Sequence, residues 1–121
     1  MRFLLFISFI VLLACNNHVE KKQENPKSVL TLLSEDISNT PNNPALFVKR
    51  AEYFLSENNL ESALMDYKEC VKLSPENGGY HYEVAYLYYE IAKLDRTKQQ
   101  YPEKALMHLE KTIELHTDTI P

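Results

Sequence analysis

An alanine and a nearby aromatic residue recur 34 residues apart in the middle of this chain. Ala51 is followed by Ala85 at that interval, and Phe54 is followed by Tyr88 at the same interval. A fixed period of this length is typical of a unit made of two helices, which buries its apolar face by stacking on neighbouring units. The recurrence therefore predicts a chain built from stacked repeat units.

Residues 44–75 form the most complete unit. A small alanine lets two helices approach closely, and aromatic rings fill the space beside it. Asn58 and Asn59 predict the turn between the two helices. Arg50 stands at a position of the unit that is usually occupied by an apolar residue. The positions expected to define the packing of this unit are Phe47, Ala51, Phe54, Ala63, Tyr67 and Pro75.

Residues 78–117 form a second unit that departs from the first. His81 replaces Phe47, and the element that matches the second helix comes 8 residues late. We ascribe the delay to an insertion near residues 94–101, which extends either the loop or the end of the preceding helix. The expected packing positions here are Ala85, Tyr88, Ala105 and Leu109. Residues 27–38 have one apolar stripe of a helix and are predicted to be a leading half-unit.

These motifs resemble the tetratricopeptide repeat (TPR), whose pattern runs from an early aromatic residue through A-x3-F to a closing proline. The resemblance covers residues 27–117, with a half-repeat at 27–38, repeat 1 at 44–75 and repeat 2 at 78–117. It implies a short α-solenoid of antiparallel helix hairpins, with about five helices. Residues 118–121 are assigned as a tail.

The resemblance also implies a binding face, because the first helices of such repeats line the concave side. The resemblance makes the following residues candidates for partner binding: Val48, Glu52, Leu55, Tyr82, Glu83, Tyr86 and Tyr89. The three tyrosines lie at i, i+4 and i+7, a stripe that suits peptide capture if it is exposed and core packing if it is not. The Lys/Asn/Arg clamp by which some members bind a terminal carboxylate is absent, and the acidic, aromatic character of the groove instead favours neutral or basic extended segments.

The N-terminal segment predicts a membrane anchor. Residues 3–13 are apolar except for one serine, and the sequence Leu-Leu-Ala-Cys at residues 12–15 resembles a bacterial lipobox. The resemblance implies that residues 1–14 are a signal peptide, that Cys15 carries acyl chains such as palmitate, and that residues 15–26 are a polar tether. Within that resemblance, Asn16 in place of an aspartate after the cysteine favours the outer membrane, and the lack of an acidic cluster in residues 16–22 favours its periplasmic face. The alternative is an ordinary signal peptide with an incidental cysteine.

Several classes of function are disfavoured by the remaining sequence. The net charge of −4 gives no attraction to nucleic acid. Phosphate loops, nucleophile elbows and metal motifs are missing, so we expect no enzyme, cofactor or metal site. Cys70 is interpreted as a small buried apolar residue. His108 and His116, which are 8 residues apart on one predicted helix, are interpreted as solvated surface residues.

The leading hypothesis is a lipid-anchored adaptor of the bacterial envelope that binds a peptide or partner protein in a TPR-like groove. The alternative is a structural accessory of an envelope assembly, docked through its last helix. That helix has an apolar stripe of Leu106, Leu109 and Ile113. A second copy of the chain would also cover this stripe, so a homo-oligomer is a further possibility. A small hydrolase or carrier built on Glu and His is a third hypothesis.

Overall fold

The computed structural model describes residues 28–117, and these residues are all-α. Five helices make up 80% of them, without strands, as an α-solenoid predicts, and this confirms the fold class. The helices are α1 (Val29–Asn39), α2 (Pro44–Ser56), α3 (Leu60–Leu73), α4 (Gly78–Leu94) and α5 (Tyr101–Thr117). The predicted signal peptide, lipidated Cys15, tether and tail lie outside the described residues.

Short polar side chains start four of the helices. Ser28, Asn43, Asn59 and Asn77 each accept a hydrogen bond from a backbone N–H in the first turn of α1, α2, α3 and α4. Such caps satisfy backbone donors that have no partner within the helix. Asn58 has a φ of 56°, a left-handed conformation that asparagine tolerates, and it makes the sharp turn between α2 and α3.

Each helix packs on the one before it, from α1 to α5. Connections of three to six residues force neighbouring helices to run in opposite directions. Two hairpins result, α2–α3 and α4–α5, with α1 against the first. No residue of α1 is buried, although Ile37 packs against the core. At its N-terminal end Val29 is exposed, so α1 covers the stack with only part of its apolar stripe.

The two hairpins are built around equivalent pairs of small residues, which we call the alanine seams. Ala51 and Ala63 are fully buried in α2–α3, and Ala85 and Ala105 are buried in α4–α5. Val84 and Leu87 of α4 are fully buried in the same continuous core as Ala63. The seams let the helices of each hairpin approach closely, and α4 joins the hairpins into one core.

The insertion lengthens both the helix and the loop. Helix α4 has 17 residues where α2 has 13, and the connection 95–100 has six residues where 57–59 has three. The six-residue connection is ordered by Asp95, which accepts hydrogen bonds from the backbone N–H and the hydroxyl of Thr97. These bonds hold the pKa of the Asp95 carboxyl below its ordinary value.

Two predicted packing residues are not in the core. Pro75 is exposed and follows Ser74, the residue that caps the C-terminal end of α3. Its carbonyl oxygen, not its ring, makes a contact, a hydrogen bond with His81 Nε2. Leu109 is 39% exposed, because no helix lies over the outer side of α5 in the described structure. Phe54, by contrast, is partly buried and packs against the core.

Candidate functional site

The three predicted tyrosines of α4 are on the surface. Tyr82, Tyr86 and Tyr89 are each about half exposed, at 51%, 47% and 55%. Other residues of α4, among them Ala85 and Tyr88, form its buried face. Their spacing of i, i+4 and i+7 places the three rings in one row along the helix. The sequence left open whether this stripe is core or surface, and the structure exposes it.

These rings form one wall of an apolar groove between α4 and α5, which we call the end groove. Its volume is about 300 Å³, and its other wall is formed by Leu106 and Leu109 of α5. Ala85 and Ala105, from the alanine seam, contribute to its lining together with Pro102. The sequence assigned the tyrosines to a concave face shared with α2. It did not predict that they face α5, because the inserted residues obscured how the two helices align.

The other candidates for partner binding separate into two groups. Val48 and Leu55 of α2 are partly buried and pack against the core, so they are not freely displayed. Glu52 and Glu83 lie near the phenol of Tyr67, between α2 and α4. Burial, followed by these two carboxylates, raises the pKa of Tyr67 to about 12. Burial also raises the pKa of Glu83 above its ordinary value. The face between α2 and α4 is therefore acidic.

A pair of histidines joins α4 to α5, which the sequence did not predict. His81 Nδ1 lies 3.0 Å from His108 Nδ1, and His81 Nε2 lies 2.9 Å from the carbonyl oxygen of Pro75. A carbonyl only accepts, so His81 Nε2 carries a proton, and in the neutral pair His108 Nδ1 donates to the bare Nδ1 of His81. The prediction that His108 is a solvated surface residue is wrong, because it packs against His81 and Tyr88.

The position of the histidine pair disfavours the protonated form of His108. Burial is the main cause, and the nearby His81 and then Lys68 add to it, so the pKa of His108 is lowered. Only one proton fits between the two Nδ1 atoms, and charging both rings would break their hydrogen bond. Two ligands alone do not form a metal site, and residues 28–117 contain no cluster of three or more His, Cys, Asp or Glu that would hold an ion.

Arg50, which stands at a position that is usually apolar, makes a partly buried ion pair. Arg50 Nε and Nη2 donate to the two carboxylate oxygens of Asp66, at 2.8 and 2.6 Å. Asp66 is 3% exposed, and Arg50 also donates to the hydroxyl of Ser34 in α1, at 3.4 Å. A guanidinium matches a carboxylate in this two-pronged geometry. The pair fixes α1, α2 and α3 to one another.

Cys70 has the surroundings of a structural thiol. It is fully buried, and its Sγ donates to the carbonyl oxygen of Pro44 at 3.4 Å. Burial raises the pKa of this thiol to about 11, so the reactive thiolate is scarce at neutral pH. These surroundings disfavour Cys70 as a nucleophile.

Helices that cross a bilayer need about 20 largely apolar residues. Among residues 28–117, none of the helices is both long and apolar enough for that.

Comparison with known proteins supports the fold. The structure of a protein titled MamA MSR-1 C2, which contains TPRs, superposes with a TM-score of 0.62 at 22% identity. The match covers 75% of this chain and 48% of that one, so the present chain spans about half the length of that protein. No family model and no curated protein sequence matches this chain. The likeness establishes a TPR-like α-solenoid fold.

Proposed function

We propose that this protein is a scaffold that binds a partner protein or peptide at the bacterial cell envelope, held to a membrane by lipid on Cys15. It is not an enzyme: its role is to position another protein. The lipid anchor rests on the N-terminal sequence alone, where an apolar run ends in Leu-Leu-Ala-Cys. The outer membrane, facing the periplasm, is the proposed location.

One observation carries the binding role: three tyrosines are displayed in a row on a helix whose buried face is complete without them. A tyrosine ring buries 150–250 Å², so three half-exposed rings present roughly 300 Å² of amphipathic surface. The largest apolar patch on a typical monomer covers about 300–600 Å², and such patches are often functional. Tyrosine is also enriched among the residues that dominate binding energies.

Site-specific photo-crosslinking in intact cells tests this role. A photoreactive residue in place of Tyr86 is expected to capture one or a few specific proteins. The matched control is the same residue in place of Met65, which is 68% exposed on α3 and outside the end groove. Equal capture from both positions, or none from Tyr86, would contradict a binding role for the tyrosines.

The anchor is tested separately, by the fate of the cysteine. Mature protein is expected to begin at Cys15 and to carry acyl chains in intact-mass spectra, and Cys15→Ser is expected to leave the membrane fraction. Retention of residues 1–14, or membrane association that survives the substitution, would overturn the anchor and leave the scaffold role untouched.

A second candidate function is a structural accessory of an envelope assembly. The observation in its favour is the exposed stripe on α5, where Leu106 and Ile113 are 58% and 63% exposed. A permanent partner would cover this stripe in one stable stoichiometric complex, whereas an adaptor exchanges several weaker partners. Affinity purification from solubilised membranes with quantified stoichiometry distinguishes the two.

A further inference from the structure

The end groove has a covered counterpart in the first hairpin. By the 34-residue register, Tyr82, Tyr86 and Tyr89 of α4 occupy the positions of Val48, Glu52 and Leu55 of α2. By the 42-residue register across the insertion, Leu106 and Leu109 of α5 occupy the positions of Leu64 and Tyr67 of α3. The chain therefore contains two versions of one surface, each with an alanine seam at its base.

The covered version shows what kind of element this surface accepts. Leu64 and Tyr67 are only 3% and 6% exposed, because α4 packs on α3. Tyr80 lies near enough to Tyr67 to affect its pKa, and Ile91 lies beside Leu60. The contacting stripe of α4 thus runs from Tyr80 to Ile91 at a spacing of i, i+4, i+7 and i+11. The occupant is an amphipathic helix.

Charge distinguishes the open version from the covered one. Glu83 and Glu90 lie three residues before and four after Tyr86, and Glu103 and Glu110 have the same spacing around Leu106. Residues at these spacings are neighbours on a helix surface, so these carboxylates lie beside the end groove, next to residues of both walls, although none of them is in its lining. Within residues 28–117, Glu90 pairs with Lys93, whereas Glu103 and Glu110 form no ion pair.

We infer that the end groove binds an amphipathic helix of a partner protein, with an apolar stripe along one face and lysine or arginine on both flanks. The apolar stripe would pack between the tyrosine wall and the leucine wall, as α4 packs on α3. The basic flanks would pair with the glutamates of the two rims. This inference rests on the proposed scaffold function and specifies the chemistry of its partner.

A second copy of the chain fits the groove less well. Self-association through this face would bring Glu103 and Glu110 towards the rim glutamates of the other copy, and like charges at close range oppose association. Helix α1 also exposes apolar residues, but residues 28–39 contain no lysine or arginine and include Glu35 and Asp36. The electrostatics therefore favour a different, basic partner.

Fluorescence polarisation with two designed peptides tests the inference on the full chain. Both peptides are helical, with leucines at i, i+4, i+7 and i+11; one has lysines on its flanks and the other has glutamates. The lysine peptide is expected to bind at least about tenfold more tightly, with affinity falling as salt is raised. Equal affinities, or no binding of either peptide, would overturn the inference.

Substitutions locate the peptide on the protein. Leu109→Glu is expected to weaken binding of the lysine peptide by about tenfold or more, since it places a charge in the apolar wall. The matched control is Met65→Glu, 68% exposed on α3 and outside the end groove, and it is expected to bind as wild type. Circular dichroism verifies that both variants fold. Equal losses in the two variants would overturn the assignment to the groove.

Charge reversal gives an independent test. Glu103→Lys with Glu110→Lys is expected to reduce the preference for the lysine peptide by about tenfold. An unchanged preference would contradict the role of the rim.

Two further outcomes separate this inference from the scaffold function. Crosslinking from position 52 that captures a protein, together with none from position 109, would retain the scaffold and overturn the groove as its site. A dimer in sedimentation equilibrium that Leu109→Glu dissociates would assign the groove to a second copy and overturn the basic partner.

Discussion

The two hairpins of this protein share a packing framework but are joined by different polar contacts. In α2–α3, Arg50 pairs with Asp66; in α4–α5, His81 bonds to His108. Asp66 and His108 are equivalent in the 42-residue register, but their partners differ by one helical turn, because Arg50 is equivalent to Val84 and His81 to Phe47. One link joins a guanidinium to a carboxylate, and the other joins two imidazole rings.

The outer surfaces differ as well. The outer side of α3 is covered by α4, whereas the outer side of α5 is open in the described structure. An apolar residue therefore has opposite roles at equivalent positions: in the first hairpin it stabilises the fold, and in the second it is available for a partner. In repeat proteins the two roles can be measured separately, because the stability of the fold is close to a sum over the units and their interfaces.

The largest predicted effect separates two leucines in equivalent positions. Leu64→Ala is expected to lower the free energy of unfolding by about 2–5 kcal/mol, because it opens a cavity under α4. Leu106→Ala, at the equivalent exposed position, is expected to change it by less than about 0.5 kcal/mol. Urea unfolding followed by circular dichroism measures both. Similar losses at the two positions would show that α5 is covered in solution.

The next largest effect concerns the ion pair of the first hairpin. Asp66→Ala is expected to cost about 3 kcal/mol of unfolding free energy, because it leaves the Arg50 guanidinium without its partner between three helices. The same unfolding assay measures it. Arg50→Met combined with Asp66→Leu is the control, and it is expected to recover most of the loss, since two apolar side chains leave no buried charge. If the double variant were as unstable as the single one, the loss would not come from an unpaired charge, and the ion pair itself would stabilise the fold.

Much of the fold was readable from the sequence because small residues recur at a fixed period. The alanine at position 51 has its counterpart at 85, and few other arrangements of helices need small residues at that spacing. Asparagine and proline likewise indicate where helices begin and turn. Local chemistry is sufficient for these features.

The polar contacts between helices were not readable, because they depend on which side chains the hairpin brings together. Arg50 and Asp66 are 16 residues apart, and His81 and His108 are 27 apart. Neither pair lies at a spacing that marks contact on one helix. The sequence also did not predict that α5 is the helix faced by Tyr82, Tyr86 and Tyr89, because that orientation depends on how the insertion folds.

A smaller effect is predicted for the histidine link, and it depends on pH. The pKa of His108 is lowered in the folded state, so as the pH falls below about 6.5 the unfolded chain binds the proton first, and stability is lost. The limiting slope for one group is about 1.4 kcal/mol per pH unit. Unfolding free energies between about pH 7.5 and 5.5 measure the loss.

The control for this prediction is His108→Asn. Its amide nitrogen can still donate to His81 Nδ1, but the side chain does not titrate, so its stability is expected to vary less over the same range. Glu83, whose pKa is raised by burial, has the opposite dependence, because its folded form is protonated first as the pH falls. Glu83 is present in both proteins, so their difference isolates His108. Parallel pH profiles would exclude the proposed titration.

The smallest effect is expected at the longer of the two turns. Lys98, in the connection 95–100, lies 3.4 Å from Glu61 at the start of α3, and both side chains are largely in water. Exposed pairs of this kind gain little, because water and salt screen the charges and two long side chains lose freedom. Lys98→Gln is therefore expected to leave the thermal midpoint unchanged at high salt and to lower it only slightly at low salt. A large loss at both salt concentrations would mean that this turn, unlike the short turn at Asn58, holds the two hairpins together.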